Sequence, residues 1–571
     1  MKDQRESCGI VGVALAQGQG NAALPTFYAL YALQHRGQES AGIAVSESTS
    51  TSAEQGKRKE GNKIKLERGM GFVYEVFDRQ RLDSLRGKGN LGIGHVRYST
   101  TGASNVENSE PLLVNYRGGK FAIAHNGNLV NTEELREELK KEGRIFHSET
   151  DTEVVAQLLA KELAGQQQAG QQQAGQQQAG QQQAGQQARN DPVEALKKVM
   201  TRVVGSYSLV ILLDGTLIAV RDPLGIKPLC LGETEDGYII ASESPAIDLL
   251  DGELVRDVRP GEVLVARGKG GGGKGGGGKG GGGKGGGEKG GGVGLESYQL
   301  CRGKNTAHCV FEYIYFARAD SVLDGRLVYD VRMKIGERLA EEEEVVCGGG
   351  SGGSSGGSSG GSSGGGSGCS CGGGCGVQGA DIVSPVPDSG ITFAIGYAKR
   401  AGLDYKEGLM KNRYVGRTFI MPEKASRDTA VRLKLNVVQE NVKGKRVVLV
   451  DDSVVRGTTS RRIVANLKKK GAKEVHIRIG SPPIIAPCYL GINTPTRSEL
   501  LASGRNLAEI REFLNADSVG YLSLAGLVDS VGIAAENLCL GCLTGKYPVE
   551  IPGEDCESKV DCESKVRVKN E

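Results

Sequence analysis

VVLVDDSVVRGTTS, residues 447–460, is the stretch on which the reading of this chain turns. Val447 to Val450 are four consecutive apolar residues, the pattern of a parallel strand covered on both faces, where alternation is lost. Asp451 and Asp452 follow at the strand's carboxyl end, and a loop through Ser453, Arg456, Gly457, Thr458, Thr459 and Ser460 leads to a helical run from Arg461. Strand, acidic pair, small-residue loop and helix N-terminus together suit a sugar phosphate. Loop amides and the helix dipole favour the phosphate, while the carboxylates hold ribose hydroxyls or a divalent cation. The alternative is an acidic surface turn in an ordinary α/β unit.

Upstream, ADIVSPVPDSG (380–390) reads as a second buried strand ending in a polar turn. GLMKNRYVGRTFI (408–420) and RLKLN (432–436) bring five cations, Lys411, Arg413, Arg417, Arg432 and Lys434, into the same region. Strands alternating with helices predict a parallel sheet that binds ligands at its carboxyl end. A solvated basic face is the alternative for the five cations.

The first half has a different texture. CGIVGVA (8–14) is a strand that begins with a cysteine, and HRGQESAG (35–42), GHVRYST (94–100), AHNGNL (124–129) and SETDTE (148–153) are polar clusters at the ends of short β-type runs. Clusters so placed read as pocket walls. GSYSLVILL (205–213), RDPLGIKPL (221–229) and ASESPAI (241–247) continue the pattern, with Arg221, Asp222, Gly225 and Lys227 expected to build a turn closing this domain against the next.

The 571 residues carry 71 Lys+Arg against 68 Asp+Glu, a net charge of +3 that asks for no nucleic-acid partner. No apolar run is long enough to span a bilayer, and the first residues lack the apolar core of a signal peptide, so a cytoplasmic chain is expected. Thirteen Cys without export signals favour metal ligation or catalysis over a disulfide framework. Three low-complexity runs interrupt the chain: a Gln-rich repeat at 165–187, a Gly/Lys array at 268–292 and a Gly/Ser/Cys stretch at 347–377. The domain plan is a leader at 1–7, a first domain at 8–267, the Gly/Lys linker, a second domain at 293–505 and a C-terminal helical region at 506–571.

The N-terminal motifs, in this order, resemble the class II glutamine amidotransferases, whose glutaminase domain is an α+β N-terminal-nucleophile (αββα) fold of two stacked sheets between helix layers. The resemblance implies removal of Met1 to Ser7 to expose Cys8 as the catalytic nucleophile, its own α-amine serving as general base near neutral pH. It implies Arg97 on the α-carboxylate of glutamine, Asp151 on the α-ammonium, and Asn126 with the Gly127 backbone N–H as the oxyanion hole. His35 and His125 are expected to be structural hydrogen-bonding residues.

The second half resembles the α/β type I phosphoribosyltransferases, and the two halves together are similar to the amidophosphoribosyltransferase family. By that resemblance the 451–460 loop binds phosphoribosyl pyrophosphate (PRPP). Ser389, Asp451 and Asp452 are then the positions associated with Mg²⁺, and the five cations meet pyrophosphate on a loop that closes over it. Cys309, Cys488 and the CLGC pair Cys539 and Cys542 stand at the family's ligand positions for a [4Fe–4S] cluster; a four-thiolate zinc site is the metal alternative. Cys369, Cys371 and Cys375, in Gly/Ser sequence, are expected to hold no cluster, because ordering the loop costs about 1–2 kcal/mol per residue. Cys556 and Cys562 lie in a duplicated DCESKV near the end, where a frayed tail is expected.

The implied reaction makes 5-phosphoribosylamine, glutamate and pyrophosphate from PRPP, glutamine and water, the ammonia passing internally to C1 of PRPP. The family further implies homotetramers and feedback inhibition by purine nucleotides. Two other functions compete: glutamine:fructose-6-phosphate amidotransferase, which would need sugar-isomerase domains in the second half, and a PRPP- or nucleotide-sensing regulator with an inert glutaminase half.

Overall fold

The computed structural model describes residues 8–16, 21–46, 63–86, 89–98, 104–176, 191–268, 292–301, 303, 305–343, 379–412, 435–492, 494 and 496–553. They divide into two compact units, one comprising Gln4–Val328, Pro487–Pro495 and Ala534–Glu571, the other mainly Tyr329–Ala486 and Thr496–Ile533.

In the larger unit two antiparallel sheets carry the fold. One has seven strands in the order Glu253–Asp257, Cys230–Thr234, Gly237–Ala241, Gly9–Leu15, Leu91–Arg97, Ser40–Ser46 and Ile64–Met70. The other has six: Val293–Gln299, Glu262–Gly268, Thr216–Arg221, Gly205–Leu213, Gly119–Leu129 and Leu112–Tyr116. Side-chain alternation shows how they stack. Ile10 and Ala14 of the Gly9–Leu15 strand pack with Ala122, Ala124, Val210 and Leu212 of the other sheet. Val11 and Val13 of that strand turn to the opposite face, against Ala29, Leu30 and Leu33 of the helix Ala23–Ala32 and the residue after it. On the six-stranded sheet Phe121, Ile123, Leu209 and Ile211 meet Val155, Leu158 and Leu159 of the helix Asp151–Gln176. A period of two thus sends one set of side chains between the sheets and the other under helices. The outcome is the αββα arrangement, with small alanines allowing the sheets close approach.

The smaller unit holds a five-stranded parallel sheet in the order Asp404–Tyr405, Ile382–Pro385, Arg446–Asp451, Glu474–Ile479 and Ser518–Tyr521. Val447 to Val450 are each no more than 1% exposed. Burying such a side chain contributes about 1.5–3 kcal/mol, which explains why the central strand is apolar throughout. The helix Thr458–Lys469 lays Ile463, Val464 and Leu467 onto this core and carries Lys468 and Lys469 in its last turn, where they complement the dipole.

Three expectations about the chain's organisation are corrected. The Gly/Lys array does not separate domains: it joins Glu262–Gly268 to Val293–Gln299, neighbouring antiparallel strands of one sheet, so residues up to Val328 stay with the larger unit. The second domain accordingly starts near residue 329. The 506–571 region is not one helical piece. Ser518–Tyr521 is an edge strand of the parallel sheet, whereas residues from Ala534 return to the larger unit, pairing Leu538–Cys539 with His308–Cys309. The helix of the opening stretch starts at Thr458, three residues before the sequence pattern placed it, because Gly457 at φ 71° supplies its N-cap. The Gln-rich repeat continues a helix as far as Gln176. The leader, the rest of that repeat, the Gly/Ser/Cys stretch with Cys369, Cys371 and Cys375, and the tail with Cys556 and Cys562 lie outside the described residues.

Candidate active sites and thiol cluster

Cys8 sits just before the first strand, whose register sets Gly9 opposite Val96 and so brings Cys8 beside Arg97 at the end of the Leu91–Arg97 strand. The thiol donates to the Tyr98 carbonyl oxygen at 3.4 Å and accepts from the Tyr98 N–H at 3.5 Å. Burial pushes it up to about 12, with the Glu110 and Asp151 carboxylates adding to the rise and Arg97 opposing it. A thiol in that state is not a nucleophile at neutral pH without a base beside it.

Asn126 and Gly127 lie on the Gly119–Leu129 strand of the other sheet, both buried. Gly127, at φ +155°, approaches the partner strand so closely that a Cβ would stand 2.0 Å from the Ser206 carbonyl oxygen. Asp151 opens the long helix and accepts from the backbone N–H groups of Leu129 at 3.0 Å and Thr152 at 2.9 Å. Burial works against its charge, but His125 at 3.5 Å and these donors outweigh burial and hold the carboxyl below the usual range.

A buried polar network links the two sheets here. His95 Nε2 lies 3.1 Å from the His125 carbonyl oxygen, the His125 N–H donates to Glu110 at 2.8 Å, and Thr152 Oγ1 donates to the other Glu110 oxygen at 2.6 Å. His125 Nε2 lies 3.3 Å from the Ser206 carbonyl oxygen, and His35 is paired with Glu243 at 2.8 Å. Both histidines are hydrogen-bonded, as expected of them. Glu110 and Thr152 were not singled out in sequence, because a single carboxylate or hydroxyl among many carries no period or spacing. Arg36 was also missed, although it lies in the HRGQESAG motif. Its Nε donates to the Cys8 carbonyl oxygen at 3.0 Å while its other nitrogens bind Glu243 and Glu312.

Arg221 and Asp222 do build a turn. Asp222 accepts from the Leu224 and Ile226 N–H groups, and Arg221 Nε donates to the Lys227 carbonyl oxygen at 2.9 Å. The turn lies within the larger unit, with Arg221 also paired to Asp324 at 3.1 Å.

In the smaller unit the opening stretch delivers both carboxylates to the end of the central strand. Asp451 accepts from the Asp452 N–H at 3.0 Å, Ser389 Oγ donates to Asp452 at 2.6 Å, and Ser453 donates to its other oxygen. Ser389 reaches Asp452 from the turn after the adjacent strand Ile382–Pro385, so parallel pairing is what unites them. Gly457 leaves no room for a side chain: a Cβ would stand 2.6 Å from Leu501 Cδ2. Thr458, Thr459 and Ser460 form the first helical turn, with the Ser460 side chain buried. Arg456 pairs with Glu499 at 3.0 Å and Lys411 with Asp388 at 2.5 Å. Arg413, Arg417, Arg432 and Lys434 lie outside the described residues.

Cys309, Cys488, Cys539 and Cys542 come from three separate segments and all belong to the larger unit. Parallel pairing sets Cys309 directly against Cys539, and Cys542 follows on the short helix Gly541–Thr544. The sulfur of Cys488 accepts from the Leu490 N–H at 3.3 Å, and backbone N–H groups also reach the sulfurs of Cys309 and Cys539. Burial pushes all four thiols up, Cys309 to about 11; Cys539 and Cys542 are raised further by the other cysteines. Among the described residues no group of three or more His, Cys, Asp or Glu gathers tightly enough to hold a single metal ion. Four thiols with backbone N–H donors at sulfur form a donor set of the kind that an iron–sulfur cluster or a zinc ion would use.

Comparison with known proteins agrees with both halves. A glutamine amidotransferase domain family matches residues 95–249, and a phosphoribosyl transferase domain family matches residues 378–479. The second match is to a phosphoribosyl transferase domain where the competing function would need sugar-isomerase domains. Amidophosphoribosyltransferase of Archaeoglobus fulgidus is 46% identical over 552 residues, covering 96% of this chain and 100% of the relative. That of Bacillus subtilis is 37% identical over 556 residues, covering 96% of each. Among solved structures, glutamine PRPP amidotransferase from B. subtilis complexed with ADP and GMP superposes with a TM-score of 0.73 at 36% identity, covering 96% of this chain and 98% of that one. Two sites of this chemistry in one chain, and relatives matched along almost their whole length, place the chain in the amidophosphoribosyltransferase family.

Proposed function

We infer that the chain makes 5-phosphoribosylamine, glutamate and pyrophosphate from PRPP, glutamine and water, the first committed step of purine synthesis. The observation that carries this reading is the presence of both half-sites in one chain: Cys8 with Arg97 and Asp151, and Asp451–Asp452 joined to Ser389.

At the glutaminase site the Cys8 sulfur attacks the side-chain amide carbon of glutamine. The developing oxyanion faces the Asn126 amide and the Gly127 N–H. Collapse expels ammonia and leaves a thioester, and water then releases glutamate and regenerates the thiol. Arg97 and Asp151 hold the α-carboxylate and α-ammonium, so the amide carbon arrives oriented. The Cys8 thiol, pushed up by burial, needs a base. Removal of Met1 to Ser7 supplies one as the α-amine, with an ordinary pKa of about 7.7–8.0.

At the second site Asp451 and Asp452 orient the ribose hydroxyls and the 453–460 loop amides take the 5-phosphate. Lys411, with Arg413, Arg417, Arg432 and Lys434, neutralises the pyrophosphate that leaves as ammonia attacks C1. The residues fit magnesium bound together with substrate, since it commonly takes one or two carboxylates and completes its shell from phosphates and water. When bound it screens the pyrophosphate charge.

The four thiols, Cys488 half-buried and the others buried, fit with their N–H donors at sulfur a [4Fe–4S] cluster, which when bound would tie three distant segments together. Purine-nucleotide inhibition is proposed because the B. subtilis structure carries ADP and GMP. A homotetramer and a cytoplasmic location complete the proposal; no helix among the described residues is long and apolar enough to cross a membrane.

The test is phosphoribosylamine formation by wild type and Cys8→Ala with glutamine or with ammonia. Cys8→Ala is expected to lose glutamine-dependent synthesis and keep ammonia-dependent synthesis. Loss of both would overturn the assignment of separate sites, and a mature N-terminus retaining Met1 would remove the proposed base.

A further inference from the structure

A line of buried charges runs from the backbone of the nucleophile to the thiol cluster, entirely within the larger unit. Arg36, 1% exposed, donates through Nε to the Cys8 carbonyl oxygen at 3.0 Å and through Nη1 and Nη2 to the Glu312 carboxylate at 2.9 and 2.8 Å. Such a bidentate pair has a fixed geometry. Glu243 takes the same guanidinium from the other side and is itself held by His35, by the Arg318 N–H at 2.9 Å and by Ser321 at 2.7 Å. Glu312 in turn stands 3.8 Å from Lys227 Nζ.

Lys227 is the next member of the line. It is wholly buried, and a buried ammonium is costly unless its charge is put to use. Its surroundings bind it to the cysteines. The Cys309 N–H donates to the carbonyl oxygen of Ile226, the residue before it, at 3.1 Å. Lys227 Nζ donates to the Gly491 carbonyl oxygen at 3.3 Å, in the segment that carries Cys488. The Phe316 ring covers the ammonium at 5.6 Å. The ammonium acts against the rise that burial imposes on the Cys309, Cys488 and Cys539 thiols, with Glu312 opposing it at Cys309.

We propose that Lys227 is the counter-charge of the four-cysteine site and that Glu312 and Arg36 pass its position on to Cys8. Assembly of the cluster thereby positions the glutaminase nucleophile. The inference rests on the [4Fe–4S] reading of the four cysteines. Lys227, Glu312 and Arg36 are positioning residues: they act on the Cys8 backbone, not on substrate. With thiolates assembled, the ammonium is drawn to them and Glu312 is left to orient Arg36. Without them, the ammonium competes with Arg36 for Glu312, and the hold on the Cys8 carbonyl loosens.

The experiment uses full-length protein purified without oxygen. Iron and sulfide are measured, and alkylation of Cys8 by iodoacetamide is timed by mass spectrometry before and after iron is removed with a chelator. Wild type is expected to alkylate at least ten-fold more slowly once iron is gone, because the thiol loses the placement that Arg36 gives it. Glu312→Gln is expected to retain iron yet lose that dependence, whereas a merely structural effect of iron loss would persist in it. Lys227→Met is expected to release iron several-fold faster than wild type, with Lys227→Arg restoring retention. No iron or sulfide in wild type would overturn the cluster reading and this inference together. Iron present, with Cys8 alkylation indifferent to its removal or equally dependent on it in Glu312→Gln, would overturn this inference alone.

Discussion

His95 on one sheet lies with Nε2 3.1 Å from the backbone carbonyl oxygen of His125 on the other, directly beside Asn126 and Gly127. The contact couples the strand that carries Arg97 to the strand expected to supply the oxyanion hole. Burial, with Arg97 and His125 nearby, holds the His95 ring down to about 3, so it is neutral throughout the working range. Burial pushes the neighbouring Glu110 carboxyl up to about 7.

These shifts have opposite consequences for stability. His95 takes up a proton near 6.5 when unfolded but only near 3 when folded, so its contribution is present above pH 6.5 and lost as pH falls. Glu110 ionises near 4.5 when unfolded and near 7 when folded, so its contribution is present below 4.5 and lost as pH rises through 7. Glu110→Gln removes the second slope. Between pH 5 and 6.5 the two slopes oppose each other, so thermal melts of wild type are expected to stay nearly level there, whereas the variant, left with the His95 slope, is expected to gain about 3 °C or more over the same range. Parallel profiles would show that Glu110 is ionised in the fold.

Arg97→Ala and Asp151→Asn each remove one end of the proposed clamp on glutamine. Losing one partner of a buried charged pair costs about 2–5 kcal/mol, so kcat/KM for glutamine is expected to fall by about 10²-fold or more. Ammonia-dependent synthesis should stay near wild type. Steady-state kinetics with both nitrogen donors would reveal an equal loss, which would argue for misfolding instead.

Gly457→Ala asks a Cβ to occupy φ 71° and to meet Leu501 Cδ2 at 2.6 Å. The left-handed conformation alone costs about 1–2 kcal/mol. The melting temperature should drop, and the KM for PRPP should rise because the first helical turn shifts. A rise in KM with no change in melting would place the effect on the ligand alone.

Asp452→Asn keeps the shape of the side chain but removes the charge that Ser389 and Ser453 stabilise. The expected result is a fall of about 10²–10³ in kcat/KM for PRPP with either nitrogen donor, the range found when one preorganised electrostatic group is lost. Glutamine binding, followed by calorimetry, should be unchanged.

Much of the fold could be read from local pattern. The apolar run Val447–Val450 announced a strand buried on both faces, and the polar clusters around Arg97 and Asn126 marked two strands of the site, whereas Asp151, read among β-type runs, opens a helix. Domain boundaries were less legible. The Gly/Lys array looks like a linker because composition reports only that a segment need not pack; which strands it joins depends on pairing between distant residues. Likewise Pro487–Pro495 and the residues from Ala534 rejoin the larger unit although sequence order places them after the parallel sheet.

The sequence by itself determined which residue types stand at strand ends and which segments carry thiols, because hydrophobic period and motif spacing are local properties. Tertiary structure alone decided who faces whom. Cys309 meets Cys539 through a two-residue parallel pairing, Ser389 meets Asp452 because their strands are neighbours, and Arg36 joins Cys8, 28 residues away, to Glu243 and Glu312, each more than two hundred residues away. A buried charge takes the partners that packing offers, at any distance along the chain, and no local pattern encodes that choice.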